Sequence, residues 1–210
     1  MPYTLTSRTT TSKSKLIIRQ VNSADEALLL QSDLDNLVIW CQENGMRLNT
    51  DKCHVIRFSR QKNNLPTRTY YVNAIALAEV NLVRDLGVII DNRLRFNSHI
   101  DAITKKSFQI LGFVLRYSKP FKRPTTKITI YNALVRSTLE YCTVVWNPHY
   151  DVYNKRLESV QKRFLWHLSY SCNLAKKIPS YTGRLQYFHL NSLKSRRTLL
   201  DSMFLFKLLH

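Results

Sequence analysis

Apolar positions along the chain change period near residue 98. Before it, short β-branched and aromatic runs dominate, interrupted by one helical stretch. That stretch opens at Ser23-Ala24-Asp25-Glu26, an S-x-x-E capping box with acids in the first turn. Ala27, Leu30, Leu34, Leu37 and Cys41 then recur at helical spacing, and Gly45 is placed to end the helix. Lys52 to Phe58 reads as a strand, followed by a polar loop from Gln61 to Thr67. Tyr70 to Val72 and Ile75 to Val83 read as hairpin arms around Asn73-Ala74, a turn without the glycine that a type I′ geometry prefers. Leu86 to Ile90 reads as a further strand, which an Asp91-Asn92-Arg93 turn returns through Leu94 to Phe96.

After residue 98 the period is helical throughout. Ser98 with Asp101 has capping-box form, and Ile100, Ile103, Ser107, Ile110 and Val114 make a buried seam. A basic loop, Lys119 to Arg123, leads to Pro124 in a first helical turn. Ile128, Tyr131, Leu134, Val135 and Leu139 continue a helix toward Trp146, where Asn147-Pro148 stops it. The next helix follows Asp151, with Leu157, Val160, Phe164 and Leu168 inward and Lys155, Arg156, Lys162 and Arg163 outward. Residues 171–183 read as a polar linker. A last helix from about Asn191 carries Leu193, Leu200, Phe204 and Leu208, with the pair Arg196-Arg197. Residues 1–15, Ser/Thr-rich and basic, are expected to be a disordered tail.

Charge changes the picture most. The formal net charge is +18, and it is unevenly placed. Residues 1–101 hold 13 Lys/Arg against 10 Asp/Glu, whereas residues 102–210 hold 19 against 4. A basic, aromatic-rich half implies a polyanionic partner, nucleic acid before membrane; the alternative is a solvated basic surface. Cys41, Cys53, Cys142 and Cys172 are too scattered for a zinc site or a small disulfide scaffold, and read as reduced, mostly buried thiols. No signal peptide and no run of 18 apolar residues is seen. An intracellular protein is expected, with nucleus or cytoplasm left open.

Four blocks of this sequence resemble the reverse transcriptase of non-LTR retrotransposons of the jockey-like and I-like kind. LQSDLDNLVIWCQENGMRLNTDKCHVIRFSR (Leu30 to Arg60) looks like the palm helix after the catalytic loop with its motif D strand. VRDLGVIIDNRLRFNSHI looks like motif E, the primer-grip hairpin, joined to the first thumb helix. IYNALVRSTLEYCTVVWNP looks like the thumb segment, and SLKSRRTLLDSMFLFKLL like a C-terminal helix of these reading frames. The resemblance implies an α+β fold: a small antiparallel palm-remnant sheet with one long helix, then a helical thumb and C-terminal helices. Its divisions would be a tail (1–15), a palm remnant (16–97), a thumb (98–148) and a C-terminal helical region (149–210).

The family's activity is RNA-directed DNA synthesis with Mg²⁺ ions about 4 Å apart, held by an aromatic-Ala-Asp-Asp tetrad and an upstream aspartate. Here the tetrad's place reads Thr9-Thr10-Thr11-Ser12-Lys13-Ser14, without an acid, and the fingers and earlier palm motif have no counterpart. No catalytic residue, metal ligand or cofactor is therefore expected in this chain.

Candidate sites follow. Lys52 matches the motif D lysine, a proton donor near leaving pyrophosphate in polymerases, or is simply a lysine at a strand start. Asp85 and Asp91 match turn positions, expected to pair with Arg84 or Arg93. Gly87 would permit close approach of a primer strand or form a bulge. His99 reads as a structural histidine, a cap or a phosphate contact. The leading candidates are Lys105, Lys106, Arg116, Lys119, Lys122, Arg123, Lys127 and Arg136, which on a thumb would contact template–primer phosphates without reading bases. Tyr117 and Phe121 would stack on nucleotides or fill a core. The expected function is sequence-independent nucleic-acid binding by an inactive, truncated reverse-transcriptase-like chain, with missing reverse transcriptase segments as a further expected partner. A structural or protein-interaction remnant and a fragment of a longer active enzyme are the alternatives.

Overall fold

The computed structural model describes residues 2–8, 14–21, 23–58 and 68–210, and its fold is α+β. The chain divides into two compact units, 1–95 and 96–210. The polar loop expected at Gln61–Thr67 and most of the stretch Thr9–Ser14 lie outside the described residues.

In the first unit, helix α1 (Ala24–Glu43) begins with the expected capping box, Ser23 and Glu26 each bonding the other's backbone N–H. Gly45, at φ 66°, takes the left-handed turn after the helix. The buried side of α1 (Ala27, Leu30, Leu34) packs with Val21, Cys53, Val55, Tyr70, Val72 and Leu77. Strands β1 (Pro2–Arg8), β2 (Ser14–Gln20) and β3 (His54–Arg57) form a sheet in the order β2-β1-β3. β1 runs antiparallel to both neighbours, with Leu5 opposite Ile17 on one side and Val55 on the other. Residues 2–8 are therefore a central strand, not part of a disordered tail. Their alternation of Tyr, Thr and Leu is strand-forming chemistry that the Ser/Thr content obscured.

The hairpin region is also partitioned differently. β4 (Tyr71–Val72) and β5 (Ile75–Ala76) flank the expected turn, with both Asn73 and Ala74 at positive φ, 50° and 60°. This is the type I′ signature, reached without glycine. The Gln31 side chain bonds both the N–H and the C=O of Tyr71 at 2.9 Å, tying the turn to α1. The second arm does not continue to Val83. It breaks into β6 (Ala78–Glu79), parallel to β3, and β7 (Leu82–Asp85), which pairs with β8 (Val88–Asp91).

Gly87 is thus not inside a strand, where close approach or a bulge was expected. Leu86 (φ 44°) and Gly87 (φ 89°) are the two turn residues between Asp85 and Val88. Nor do Leu94–Phe96 form a return strand. Asp91 organises them by accepting from the N–H groups of Arg93 (3.0 Å) and Arg95 (2.9 Å), and its ion partner is Arg95.

In the second unit, helix α2 (Asn97–Tyr117) starts after Phe96 in the left-handed region, with no side-chain cap; Ser98 lies inside the helix. The expected helix to Trp146 is interrupted. α3 (Pro124–Tyr131) passes into a π-helical stretch, Asn132–Arg136, then α4 (Ser137–Glu140), a break at Cys142 (φ 57°) and α5 (Thr143–Trp146). α6 (Asp151–Ser171) is a long helix, and Tyr181–Tyr187 form α7, which begins inside the linker expected at 171–183 and runs on into residues given no element. α8 (Leu193–Leu209) buries Leu193 and Arg197, but Phe204 and Leu208 are exposed. The core gathers Ile100, Leu111, Val114, Val135, Leu139, Trp146, Leu157 and Leu168, with Tyr131 stacked on Phe164 at 4.0 Å.

Candidate nucleic-acid interface

The candidate surface is defined by where the second unit places its few acids. Residues 96–210 contain five, and each is engaged within the unit. Asp101 pairs with Arg156, Asp151 with Lys194 at 3.2 Å, and Asp201 accepts from Asn147 Nδ2 at 2.6 Å. Glu140 takes a two-pronged hydrogen bond from Arg196, one prong at 3.0 Å, with Arg136 at 3.8 Å. Glu158, buried, accepts from the Tyr181 hydroxyl and from the Leu193 N–H at 3.2 Å, at the start of α8.

These acids sit inside a wider polar seam. The Tyr131 hydroxyl donates to Gln161 Oε1 (3.2 Å), whose amide donates to the Tyr181 oxygen (3.1 Å) and the Asn191 carbonyl (2.9 Å). Arg197, fully buried, donates to Asn147 Oδ1 (3.1 Å) and Asn154 Oδ1 (2.6 Å). Burial pushes both tyrosine hydroxyls up, with Glu158 acting in the same direction. Burial pulls the Arg197 guanidinium down against the opposing field of Glu158, Glu140 and Asp201. The Glu140 hydrogen bond holds Arg196 up, while burial and then the charge of Arg196 lower Arg136.

The acids therefore hold helices together, and most cations face outward. Lys105, Lys106 and Arg116 on α2, and Lys119, Lys122 and Arg123 in the following loop, are exposed. Among the described residues none of these six lies within ion-pair distance of a carboxylate. On an ideal helix Lys106 and Arg116 are about 15 Å apart along the axis, roughly four phosphate repeats of one strand.

Two of the sequence-read cations do not join them. Lys127 is half-buried, with its Nζ 3.4 Å from Ser171 Oγ, and Arg136 is held in the Glu140 pair. Tyr117 and Phe121 are exposed rather than in the core. His99 is buried, edge-on to Trp146 at 5.2 Å, which is a structural placement.

Periodicity puts Arg163 on the outer face of α6 but does not single out the aromatics beside it. Arg163, Trp166 and Tyr170 follow one another at three- and four-residue spacing there, and both aromatics are exposed, Trp166 by 52% and Tyr170 by 66%. The signal was available: aromatics placed on the charged side of an amphipathic helix.

In the first unit, Lys52 lies in a 3₁₀ turn (Thr50–Lys52) just before β3, not on the strand. It borders a cleft of about 290 Å³ with His54, Arg84 and Asp85. The hairpin of β1 and β2 contains no acid anywhere, since the first carboxylate of the chain is Asp25. The residues at this place do not fit a Mg²⁺ pair. Among the described residues no cluster of three His, Cys, Asp or Glu is placed to hold a metal, and no helix is long and apolar enough to cross a membrane. Cys41 and Cys53 are buried as expected, but Cys142 is exposed.

No protein-family model and no solved structure matches the chain. Two curated proteins are similar to parts of it. A probable RNA-directed DNA polymerase from the transposon X-element of Drosophila melanogaster is 23% identical over 126 residues, 59% of this chain and 14% of that protein. An uncharacterized protein of Caenorhabditis elegans is 29% identical over 119 residues, 57% of this chain and 59% of that protein. The chain matches less than two thirds of either. This distant, partial likeness to a transposon polymerase supports a reverse-transcriptase-like origin for the chain.

Proposed function

We propose that the chain is a reverse-transcriptase-like segment that binds nucleic-acid backbone without sequence preference and does not itself synthesise DNA. What supports the binding is the uneven use of charge: five internally engaged acids against six outward cations on α2 and its loop. Phosphates would be held by Lys105, Lys106, Arg116, Lys119, Lys122 and Arg123, as contacts that position without reading bases. The inactivity rests on the acid-free hairpin of β1 and β2, which offers nothing to bind the Mg²⁺ of the polymerase reaction.

A salt titration tests the binding. Six phosphate contacts predict a fall in affinity for a labelled duplex of about a thousandfold between ~50 and ~200 mM salt. Changing Lys105, Lys106, Lys119 and Lys122 to Gln lowers the slope of log K against log salt by about 3–4. A flat titration, or an unchanged slope in the variant, contradicts the reading. Primer extension with Mg²⁺ or Mn²⁺ above background contradicts the inactivity.

A protein-interaction role is the second reading. It draws on the C-terminal half of α8, where Met203 to Phe206, Leu208 and Leu209 are exposed. Association that grows with protein concentration in sedimentation, without salt-dependent binding of nucleic acid, would favour it.

A further inference from the structure

We infer that the groove between α2 and α6 takes an unpaired nucleic-acid strand, its bases stacked on Trp166 and Tyr170. The inference rests on the proposed backbone binding and goes further by naming the form of nucleic acid.

The two helices run side by side in the same direction. Asp101 meets Arg156 near their starts, and Arg163 lies further along against Phe108, Leu111, Gly112 and Leu115. Those five residues line an open groove of about 380 Å³. On α6, Trp166 and Tyr170 follow the groove residue Arg163 at i+3 and i+7, on the same side of the helix. On α2, Lys105, Gln109 and Arg116 are exposed and stand at three- and four-residue spacing with the groove residue Gly112.

Gly112 keeps the groove open. A Cβ there would meet only the Arg116 guanidinium, at 3.5 Å, which is ordinary contact. Helix packing therefore does not demand glycine at this position, although glycine is an unfavourable residue in a helix interior.

The aromatic wall discriminates between ligands. Trp166 and Tyr170 stack on each other, ring centroids 5.8 Å apart and nearly parallel, yet both are more than half exposed. Their free faces are a platform of the kind on which bases stack without sequence preference. A duplex has its bases stacked internally and would leave these rings unused. An unpaired strand uses both the rings and the cations Lys105, Arg116 and Arg163. The charge excludes an acid-poor partner, and among the described residues no carboxylate pairs with these three cations.

The test uses the full chain and fluorescence anisotropy with a 12-nucleotide oligo-dT and a blunt duplex of mixed sequence and equal length, at ~100 mM salt. The single strand is expected to bind more tightly. W166A/Y170A loses about fivefold or more per ring on the single strand and less than twofold on the duplex. G112L, which fills the groove, acts in the same direction.

F113A is the contrast, since this exposed ring lies about a third of a turn round α2 from Gly112. It leaves the preference intact. Quenching of tryptophan emission by oligo-dT, lost in W166F, reports stacking in protein that carries no other change. Equal losses on both ligands, loss of preference in F113A, or no quenching would overturn the inference. Salt-dependent duplex binding without single-strand preference would overturn it while leaving the proposed function standing.

Discussion

Replacing Arg197 by methionine tests whether the buried polar seam holds the second unit together. The guanidinium is fully buried and donates to two amide oxygens, those of Asn147 at 3.1 Å and Asn154 at 2.6 Å. Each asparagine uses its other end elsewhere: Asn147 donates to Asp201, and Asn154 to the Pro148 carbonyl at 3.2 Å. Methionine keeps the stem volume, removes both hydrogen bonds, and leaves the field of Glu158, Glu140 and Asp201 without this cation.

Hydrogen bonds to a charged group contribute about 1.5–3 kcal/mol each, so the gross loss is about 3–6 kcal/mol. Relief of the desolvation that lowers the Arg197 pKa returns part of it, leaving a net destabilisation of about 2–4 kcal/mol. Arg196→Met is the comparison. Its pair with Glu140 is only partly buried, and it is expected to cost about 1 kcal/mol. Urea unfolding of the full chain, followed by far-UV circular dichroism, measures both. The reasoning fails if Arg197→Met stays within ~0.5 kcal/mol of the parent, or if Arg196→Met costs more. Either result would mean that apolar filling serves this site as well as the charge.

Three further outcomes are expected from the same unfolding assay. Tyr131 titrates near 10.0 when unfolded and higher when folded. Its contribution is complete below pH 10 and falls by about 1.4 kcal/mol per pH unit above it, so Tyr131→Phe should narrow the gap to the parent between pH 9 and pH 11. Ala74→Gly should stabilise by about 0.5–1 kcal/mol, because Ala74 sits at φ 60°, with the looser unfolded chain offsetting part of the relief; a loss of stability would argue against the type I′ turn. Asp91→Ala removes the acceptor of two backbone N–H groups and should cost about 1–2 kcal/mol, with Asp91→Asn recovering part; no loss would show that water replaces the carboxylate.

Local chemistry was legible in the sequence where one element sufficed to determine it. The capping box at Ser23, Gly45 after α1, Pro124 at the start of α3 and the span of α6 all depend on neighbours within a turn. The errors lie where distant partners decide. Leu86-Gly87 forms a turn rather than strand because β7 offers a register in which Asp85 faces Val88, and no local pattern expresses that pairing.

The basic residues show the same division. The buried seam of α2 leaves Lys105, Lys106 and Arg116 mostly off it, but periodicity could not show that Arg196 joins Arg136 on Glu140 from 56 residues away. The outer face of α6 divides in the same way. Trp166 and Tyr170 on its charged side were visible in the sequence, but only packing of α2 alongside places Arg163 in the lining of a groove.

Because acids and cations are divided between interior and surface, salt should act on stability and binding in opposite directions. Residues 102–210 hold 19 cations against 4 acids, so outward cations repel one another in the free chain. That repulsion destabilises the compact state and is screened over about 10 Å at 0.1 M salt. The buried seam around Arg197 is screened far less, and the exposed pairs Asp101–Arg156 and Asp151–Lys194 contribute little. Moderate salt should therefore raise the Tm of the free chain. A polyanion should also raise it, by linkage of about 2.7 kcal/mol at a hundredfold excess over Kd, and salt should abolish that second increment. If salt lowers the Tm of the free chain between ~50 and ~300 mM, the surface pairs outweigh the repulsion. The outward cations would then be part of what holds the fold together, not a surface kept free for a ligand.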